Sequence, residues 1–431
     1  MNYFQKDIEC MSRNKMNELQ LERLKHTVAY AYEHTPLYRK RLDEVGVKPS
    51  DIQSLKDLEK IPFTTKEDFR DNYPFGMFAV PMKKIVRIHA SSGTTGKPKV
   101  VGYTKKDLDT WSDMIARLVM MAGGSDEDVA QIAFGYGLFT GGFGLHYGLE
   151  KVGAAVIPMS SGNTEKQIML MQDFQTTLLV ATPTYALYIS EVLEEMGLSK
   201  NDLHLRIGMF GGEGHTEEMR KVLEDKLGII ATENYGLSEV MGPGVAGECI
   251  YQCGHHINED CFIVEIIDPN TGEVLPAGEK GEVVITTINK EGIPVLRYRT
   301  KDISWLMPEQ CKCGRTTMRM AKIQGRSDDM LIIKGVNVFP SQVESVLVGM
   351  KEISPYYQLV VSKKGYVDQL EVRVELIDDS LLDSYEKLEQ LENEIKHKLH
   401  VVLGLVAKVR LMEPKSIERT TGKAKHVIDN R

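Results

Sequence analysis

Between about residues 105 and 235 the chain alternates helix-like and strand-like segments, and this restricts the fold more than any other feature. Helical spacing of apolar residues surrounds Trp111–Met121, Glu165–Phe174, Tyr185–Met196 and Glu217–Leu227. Short apolar runs lie between them at Val129–Phe134, Ala154–Pro158, Leu178–Ala181, Leu205–Phe210 and Ile229–Thr232. Alternation of this kind predicts a largely parallel sheet covered by helices, with ligands taken at the carboxyl ends of its strands. Two polar loops, Gly211-Gly212-Glu213-Gly214 and Tyr235-Gly236-Leu237-Ser238-Glu239, directly follow predicted strands.

The pattern changes along the chain. Upstream, Met16, Leu19, Leu24, Val28 and Ala31 give one helix over 15–34 that stops before Pro36. After about residue 255, Phe262–Ile267, a turn around Asp268–Gly272, and Gly281–Ile285 read as antiparallel strands. From Met330 the order is strand, helix (340–349), strands (356–362 and 369–377), helix (383–403) and strand (406–412). The expectation is an α/β protein in two domains. A large N-terminal domain of helix-covered sheets spans 1–327, with a β segment at about 245–315, and a small α+β domain spans 328–431.

Residues 91–99, Ser-Ser-Gly-Thr-Thr-Gly-Lys-Pro-Lys, combine hydroxyls, glycines and two lysines. Glycines let main-chain N–H groups approach an anion, while hydroxyls and ammonium groups add donors and charge. Such a loop suits a polyphosphate. It is not a Walker A loop, because only Thr94 and Thr95 separate Gly93 from Gly96 and Pro98 follows Lys97. The flanks Ile85–Ile88 and Val100–Tyr103 are β-branched and aromatic, so the loop is expected to join two strands.

Composition narrows the function further. A net charge of −8 argues against a general binder of nucleic acid or anionic membranes. The N-terminal segment lacks an apolar signal core and no apolar run reaches membrane-spanning length, which predicts a cytoplasmic protein. Cysteines cluster at Cys249, Cys253, Cys311 and Cys313, near His255 and His256, a pattern that suits a closed tetrahedral Zn²⁺ site with a structural role. Cys249, His256, Cys311 and Cys313 are the chosen ligands, with His255 and Cys253 left open as alternatives; thiols packed as small hydrophobes are the competing reading.

Six signals follow one another in order: Ser91–Lys99, Gly211-Gly212-Glu213, Tyr235–Glu239, Arg297-Tyr298-Arg299-Thr300-Lys301-Asp302, Gly325-Arg326-Ser327-Asp328-Asp329 and Arg419-Thr420-Thr421-Gly422-Lys423. As a set they resemble the acyl-adenylate-forming superfamily of acyl-CoA synthetases and adenylation domains. Phe134–Gly142, Asp328–Pro340 and His34–Arg39 extend this to a nearly full-length resemblance to the phenylacetate–coenzyme A ligase family.

The resemblance implies two half-reactions. A carboxylate attacks the α-phosphorus of ATP to give an acyl-adenylate and pyrophosphate, and coenzyme A then displaces AMP. It implies that Ser91, Ser92, Gly93, Thr94, Thr95, Gly96 and Lys97 hold the phosphates and that Glu239 ligates Mg²⁺. Gly212, Glu213, Asn234 and Tyr235 would form the adenine cleft, with Gly236 and Ser238 in the same motif. Asp302 would take the ribose hydroxyls with Arg326 nearby; a simple Asp–Arg salt bridge is the plainer alternative. Lys423 would stabilise charge at the α-phosphate, with Lys425 a second candidate. Asp328 would be the hinge of a mobile C-terminal domain, bringing Lys334 and Gly335 to a pantetheine channel. Tyr136 and Phe139, with Phe134 and Phe143, would wall an aryl-acid pocket. The resemblance also implies a homodimer, and leaves a carrier-protein loader or a non-catalytic nucleotide sensor as alternatives.

Overall fold

The computed structural model describes residues 2–91, 98–327, 331–333, 336–364, 367–381 and 384–431. It divides into two compact units. The first contains residues 1–181, 201–212 and 230–322; the second contains 182–200, 213–229 and 323–431. Two segments from the middle of the chain therefore belong with the C-terminal region.

The first unit is built on a nine-stranded sheet. Its spatial order is Leu306–Met307, Arg319–Met320, His255–Ile257, Gly242–Glu248, Ile230–Leu237, Ile207–Gly211, Leu178–Ala181, Val129–Ile132 and Ala155–Ile157. The last five are mutually parallel, and the other neighbours pair antiparallel. The strand Ile230–Leu237 is the seam between the two arrangements. Its far end passes so close to Gly242–Glu248 that a Cβ on Gly236 would lie 1.9 Å from the Gly242 carbonyl oxygen. No side chain fits there, and the register shifts between Tyr235 and Gly236. This seam strand extends beyond the predicted run and takes in Tyr235, Gly236 and Leu237, which had been read as loop.

Among the helices that the sequence reading did not give, Gly141–Val152 is the longest. Its glycines weaken intrinsic helix propensity, yet packing requires them. A Cβ on Gly148 would lie 2.1 Å from Ile115, and one on Gly144 would lie 2.4 Å from the Trp111 ring. The partner helix, Lys105–Met121, starts at a capping box: Thr104 Oγ1 accepts from Asp107 N at 3.1 Å, and Asp107 Oδ2 accepts from Thr104 N at 2.9 Å. The buried Asp107 carboxylate also accepts the Glu291 and Gly292 amides at 2.7 and 2.8 Å, tying that helix to a remote turn. A three-stranded antiparallel sheet, Phe262–Ile267, Gly281–Thr287 and Tyr298–Ser304, completes the unit. A short hairpin, Arg87–Ala90 with Val100–Tyr103, carries the glycine-rich loop as the sequence suggests.

The second unit has a four-stranded sheet ordered Lys408–Met412, Val367–Leu376, Ile353–Lys364 and Val427–Asp429, with parallel outer pairings. Helices Pro340–Leu347 and Tyr385–Leu403 contribute Val343, Leu347, Ile395 and Leu399 to a core that also holds Leu359, Val361, Val372 and Val374. The helices Pro183–Glu195 and Glu217–Leu227 belong to the same unit. Glu344 of the first C-terminal helix accepts the Thr216 amide at 3.1 Å and the Tyr357 hydroxyl at 3.2 Å. Among the described residues, no helix is long and apolar enough to cross a membrane.

Candidate active site

The seam strand leads directly into a cluster of polar side chains. Asn234 Nδ2 donates to the Phe210 carbonyl at 2.7 Å, locking the side chain onto the neighbouring strand. The Tyr235 hydroxyl donates to Asp302 Oδ2 at 2.5 Å, so the adenine and ribose candidates meet. In the turn that follows, Ser238 Oγ and Thr140 Oγ1 are 3.0 Å apart. Glu239 is almost wholly buried and forms an ion pair with Lys99, while the Tyr298 hydroxyl donates to Glu239 Oε1 at 3.0 Å. Burial pushes the Glu239 carboxyl up, but the Lys99 ammonium and hydrogen bonds from Lys99 and Tyr298 bring it below the usual range. Beneath it, Lys290 is buried with its ammonium 5.1 Å from the Tyr103 ring centroid, and burial pushes its pKa down to about 8 against the pull of Asp107 and Glu239.

These contacts were only partly legible beforehand. Lys99 had been read with Lys97 as charge for a polyphosphate, whereas here it pairs with Glu239; Tyr298 had no assigned role, and Lys290 carries no sequence signal. At the base of the hairpin the Ser91 amide donates to the Lys99 carbonyl at 3.1 Å. Ser92, Gly93, Thr94, Thr95, Gly96, Lys97, Asp328, Lys334 and Gly335 lie outside the described residues. Gly212 takes a φ of +83°, a left-handed turn that favours glycine, and closes its part of the first unit. Gly211 approaches Asn234 closely: a Cβ would lie 2.8 Å from its Oδ1.

Glu213, expected in the adenine cleft, has both carboxylate oxygens engaged within the second unit. Oε1 accepts the Thr184 amide at 3.0 Å and Oε2 the Ala424 amide at 2.9 Å. Arg326 and Lys423 belong to that unit too, and the Lys423 and Lys425 side chains are exposed. Of the aromatic residues, Tyr136 is half-buried. It packs edge-on to Phe143 at 5.1 Å, and its hydroxyl lies 3.0 Å from His146 Nδ1. Phe139 is 49% exposed.

A separate cluster lies in the first unit. The Sγ atoms of Cys249, Cys311 and Cys313 and a ring nitrogen of His256 all fall within 4.8 Å of one another, and all four residues are buried. Cys249 and Cys311 sulfurs are 3.7 Å apart, and Cys313 Sγ is 3.3 Å from His256 Nε2. Four ligands at zinc–sulfur distances of about 2.3 Å on a tetrahedron give edges of about 3.8 Å, so the donor set fits Zn²⁺. His256 Nδ1 is 3.0 Å from Thr317 Oγ1, which leaves Nε2 facing the thiols. His255 turns elsewhere, with Nε2 3.8 Å from Glu233. Cys253 stands beside the four, 3.4 Å from Cys311 Sγ and 3.2 Å from the Arg319 guanidinium.

Residues 24–289 match the family model for AMP-binding enzymes, and residues 335–431 match the AMP-binding enzyme C-terminal domain. Fold and matches together define an AMP-binding enzyme. The chain is 53% identical over 427 residues to the phenylacetate-coenzyme A ligase of Aromatoleum evansii, covering 98% of this chain and 96% of that protein. It is 50% identical over 426 residues to the phenylacetate-coenzyme A ligase of Escherichia coli (strain K12), covering 98% and 97%. Among solved structures, 2-hydroxyisobutyryl-CoA ligase in its postadenylation state, in complex with R3-HIB-AMP, superposes with a TM-score of 0.94 at 28% identity, covering 99% of this chain and 92% of that one. The chain belongs to the phenylacetate–coenzyme A ligase family.

The Lys99–Glu239 pair generates a stability prediction. A depressed carboxyl contributes stability above its unfolded pKa of about 4.3, and loses it as pH falls through the lower folded value. Lys99→Met should leave Glu239 buried without its cation, costing on the order of 3 kcal/mol near neutral pH. The deficit should shrink as the pH falls toward about 4, because the stranded carboxyl, pushed up by burial, takes its proton at a higher pH than the paired one. Denaturant unfolding of both proteins at the two pH values checks this; an equal deficit at both would contradict it.

Proposed function

We infer that the chain is an ATP-dependent ligase that converts an aryl carboxylic acid, phenylacetate above all, into its coenzyme A thioester with release of AMP and pyrophosphate. The observation that carries this reading is the 53% identity to a phenylacetate-coenzyme A ligase over 98% of the chain. Phosphoryl chemistry of this kind needs positioning and charge neutralisation more than a covalent protein group. Ser91 and the loop 92–97 are assigned to the phosphates, and Asp302 to the ribose hydroxyls. The Tyr235 hydroxyl orients the Asp302 carboxylate, with which it shares a hydrogen bond. Gly212, Asn234, Gly236 and Ser238 are assigned to the walls around the base, where Asn234 is held by Phe210.

Glu239 is assigned to Mg²⁺: a buried carboxylate already facing a cation suits a hard ion that keeps substrate phosphates as its other ligands. When bound, that ion would neutralise charge on the phosphate oxygens. Lys423 supplies positive charge at the α-phosphate as the acid's carboxylate attacks. Asp328 is the hinge, and Lys334 and Gly335 serve the thiol-bearing arm of coenzyme A in the second half-reaction. Arg326 is assigned near the ribose and Tyr136 and Phe139 to the acyl pocket, with Tyr136 steadied by His146. Cytoplasmic location and a homodimer rest on the sequence reading and the resemblance alone.

Acid-dependent exchange of pyrophosphate into ATP, followed by coenzyme A-dependent thioester formation, tests the activity. Across phenylacetate, benzoate, indoleacetate and short fatty acids, phenylacetate should give the highest kcat/KM. A strong preference for the aliphatic acids would overturn the acyl assignment.

Zinc at Cys249, His256, Cys311 and Cys313 is the further part of this reading, supported by the edge lengths of the cluster. Four protein ligands leave no open position, so the metal would be structural. Protein purified without added zinc or chelator should carry one zinc per chain by elemental analysis. Cys311→Ser should lose the metal and lower the thermal midpoint by several degrees. Metal-free wild-type protein, or an unchanged midpoint, would refute the site.

A further inference from the structure

The loop around Lys423 is fastened on both sides of the lysine. Upstream, Thr182 Oγ1 donates to the Gly422 carbonyl at 3.2 Å. The same oxygen accepts the Tyr185 amide at 3.2 Å and caps the helix Pro183–Glu195. Downstream, the Ala424 amide donates to Glu213 Oε2 at 2.9 Å, while Glu213 Oε1 accepts the Thr184 amide in that helix's first turn. The two peptide groups flanking Lys423 are therefore both hydrogen-bonded to one small patch formed by Thr182, Thr184 and Glu213.

The loop's roots are held independently. Arg419 donates to both oxygens of the buried Glu375 at 2.7 Å each, lies 3.3 Å from Glu191 Oε2, and stacks 3.6 Å from the Tyr356 ring centroid. Beyond the loop, Val427–Asp429 joins the sheet through Ile353–Lys364. With both roots held elsewhere, the bonds from Thr182 and Glu213 act on the two peptide groups between which the Lys423 side chain leaves the backbone.

We propose that Glu213 and Thr182 are positioning residues for the adenylation half-reaction, a receiver that aims the Lys423 ammonium by gripping the peptide groups on either side of it. The proposal rests on the role assigned to Lys423 above. The chemistry suits a carboxylate: two N–H donors reach residue 213, one at each oxygen, and a carboxylate offers an acceptor to both. Glutamine would turn its own NH₂ toward one of them. Aiming matters because an ammonium displaced by about an ångström loses much of its effect on a developing charge. Both of its oxygens are committed to these two amides.

The test separates the half-reactions. In Glu213→Gln the acid-dependent pyrophosphate exchange should fall in kcat by roughly 10- to 100-fold, the scale of one lost hydrogen bond to a charged group. The KM for ATP should stay unchanged, and so should thioester formation from supplied acyl-adenylate and coenzyme A. Thr182→Val should show a smaller loss in the same half-reaction, and Thr182→Ser should restore it. In a Lys423→Ala background, Glu213→Gln should cost nothing further, since a receiver without its lysine has nothing to aim. A raised KM for ATP, equal losses in both half-reactions, or a full additional loss on top of Lys423→Ala would overturn the receiver. If Lys423→Ala slows adenylation while Glu213→Gln does not, the receiver alone falls. If Lys423→Ala leaves exchange intact, the lysine's assignment falls and takes the receiver with it.

Discussion

At Gly236 and Gly242 two backbones meet with no room for a side chain between them, and the layout of the first unit follows from that closeness. The strand Ile230–Leu237 hydrogen-bonds in parallel on one side and antiparallel on the other. Only a glycine at 236 lets the antiparallel partner approach, and only a residue tolerant of positive φ, here +125°, can stand at 242. At the end of this strand the chain delivers Tyr235 to Asp302 and Glu239 to Lys99 and Tyr298. Three pieces of the fold that are distant in sequence, namely the seam, the glycine-rich hairpin and the three-stranded sheet, are thus joined through hydroxyl, carboxylate and ammonium groups.

Burying such groups is costly unless each finds a partner, and the two units meet that demand differently. In the first unit Glu239 is charged because Lys99 stands against it, and Lys290 sits under it as a second buried ammonium. In the second, Glu375 takes both arms of the Arg419 guanidinium, whereas burial pushes the Glu191 and Glu344 carboxyls up despite nearby Arg419 and His426. The first arrangement leaves a carboxylate ready for a cation; the second holds a loop in place. The cysteine–histidine cluster is a third arrangement, in which three thiols and an imidazole are buried against one another.

Much of this was legible in the chain. The parallel strands were legible from alternating segments because buried strands and amphipathic helices have different periods, and the grouping of Cys249, Cys311 and Cys313 with His256 from their clustering in the sequence. The helix Gly141–Val152 was not legible, since its glycines lower helix propensity and their reason lies in Ile115 and Trp111 on another helix. The extension of the seam strand through Tyr235 was missed because Gly236 reads as a turn unless its antiparallel partner is known. Glu213 is the clearest case of a motif residue whose neighbours changed its meaning. Sequence grouped it with a nucleotide loop, whereas its oxygens meet amides at 184 and 424. Local spacing carries no information about a partner so far along the chain.

On the assignments proposed above, Glu239 would hold the metal and Asp302 the ribose of the nucleotide. A crystal structure with a non-hydrolysable ATP analogue and Mn²⁺, phased to locate manganese by its anomalous signal, tests that most directly. The account predicts a manganese peak on the Glu239 carboxylate beside the Tyr298 hydroxyl, and the ribose hydroxyls on Asp302. A nucleotide bound elsewhere, or manganese away from Glu239 with Lys99 still in its place, would contradict it.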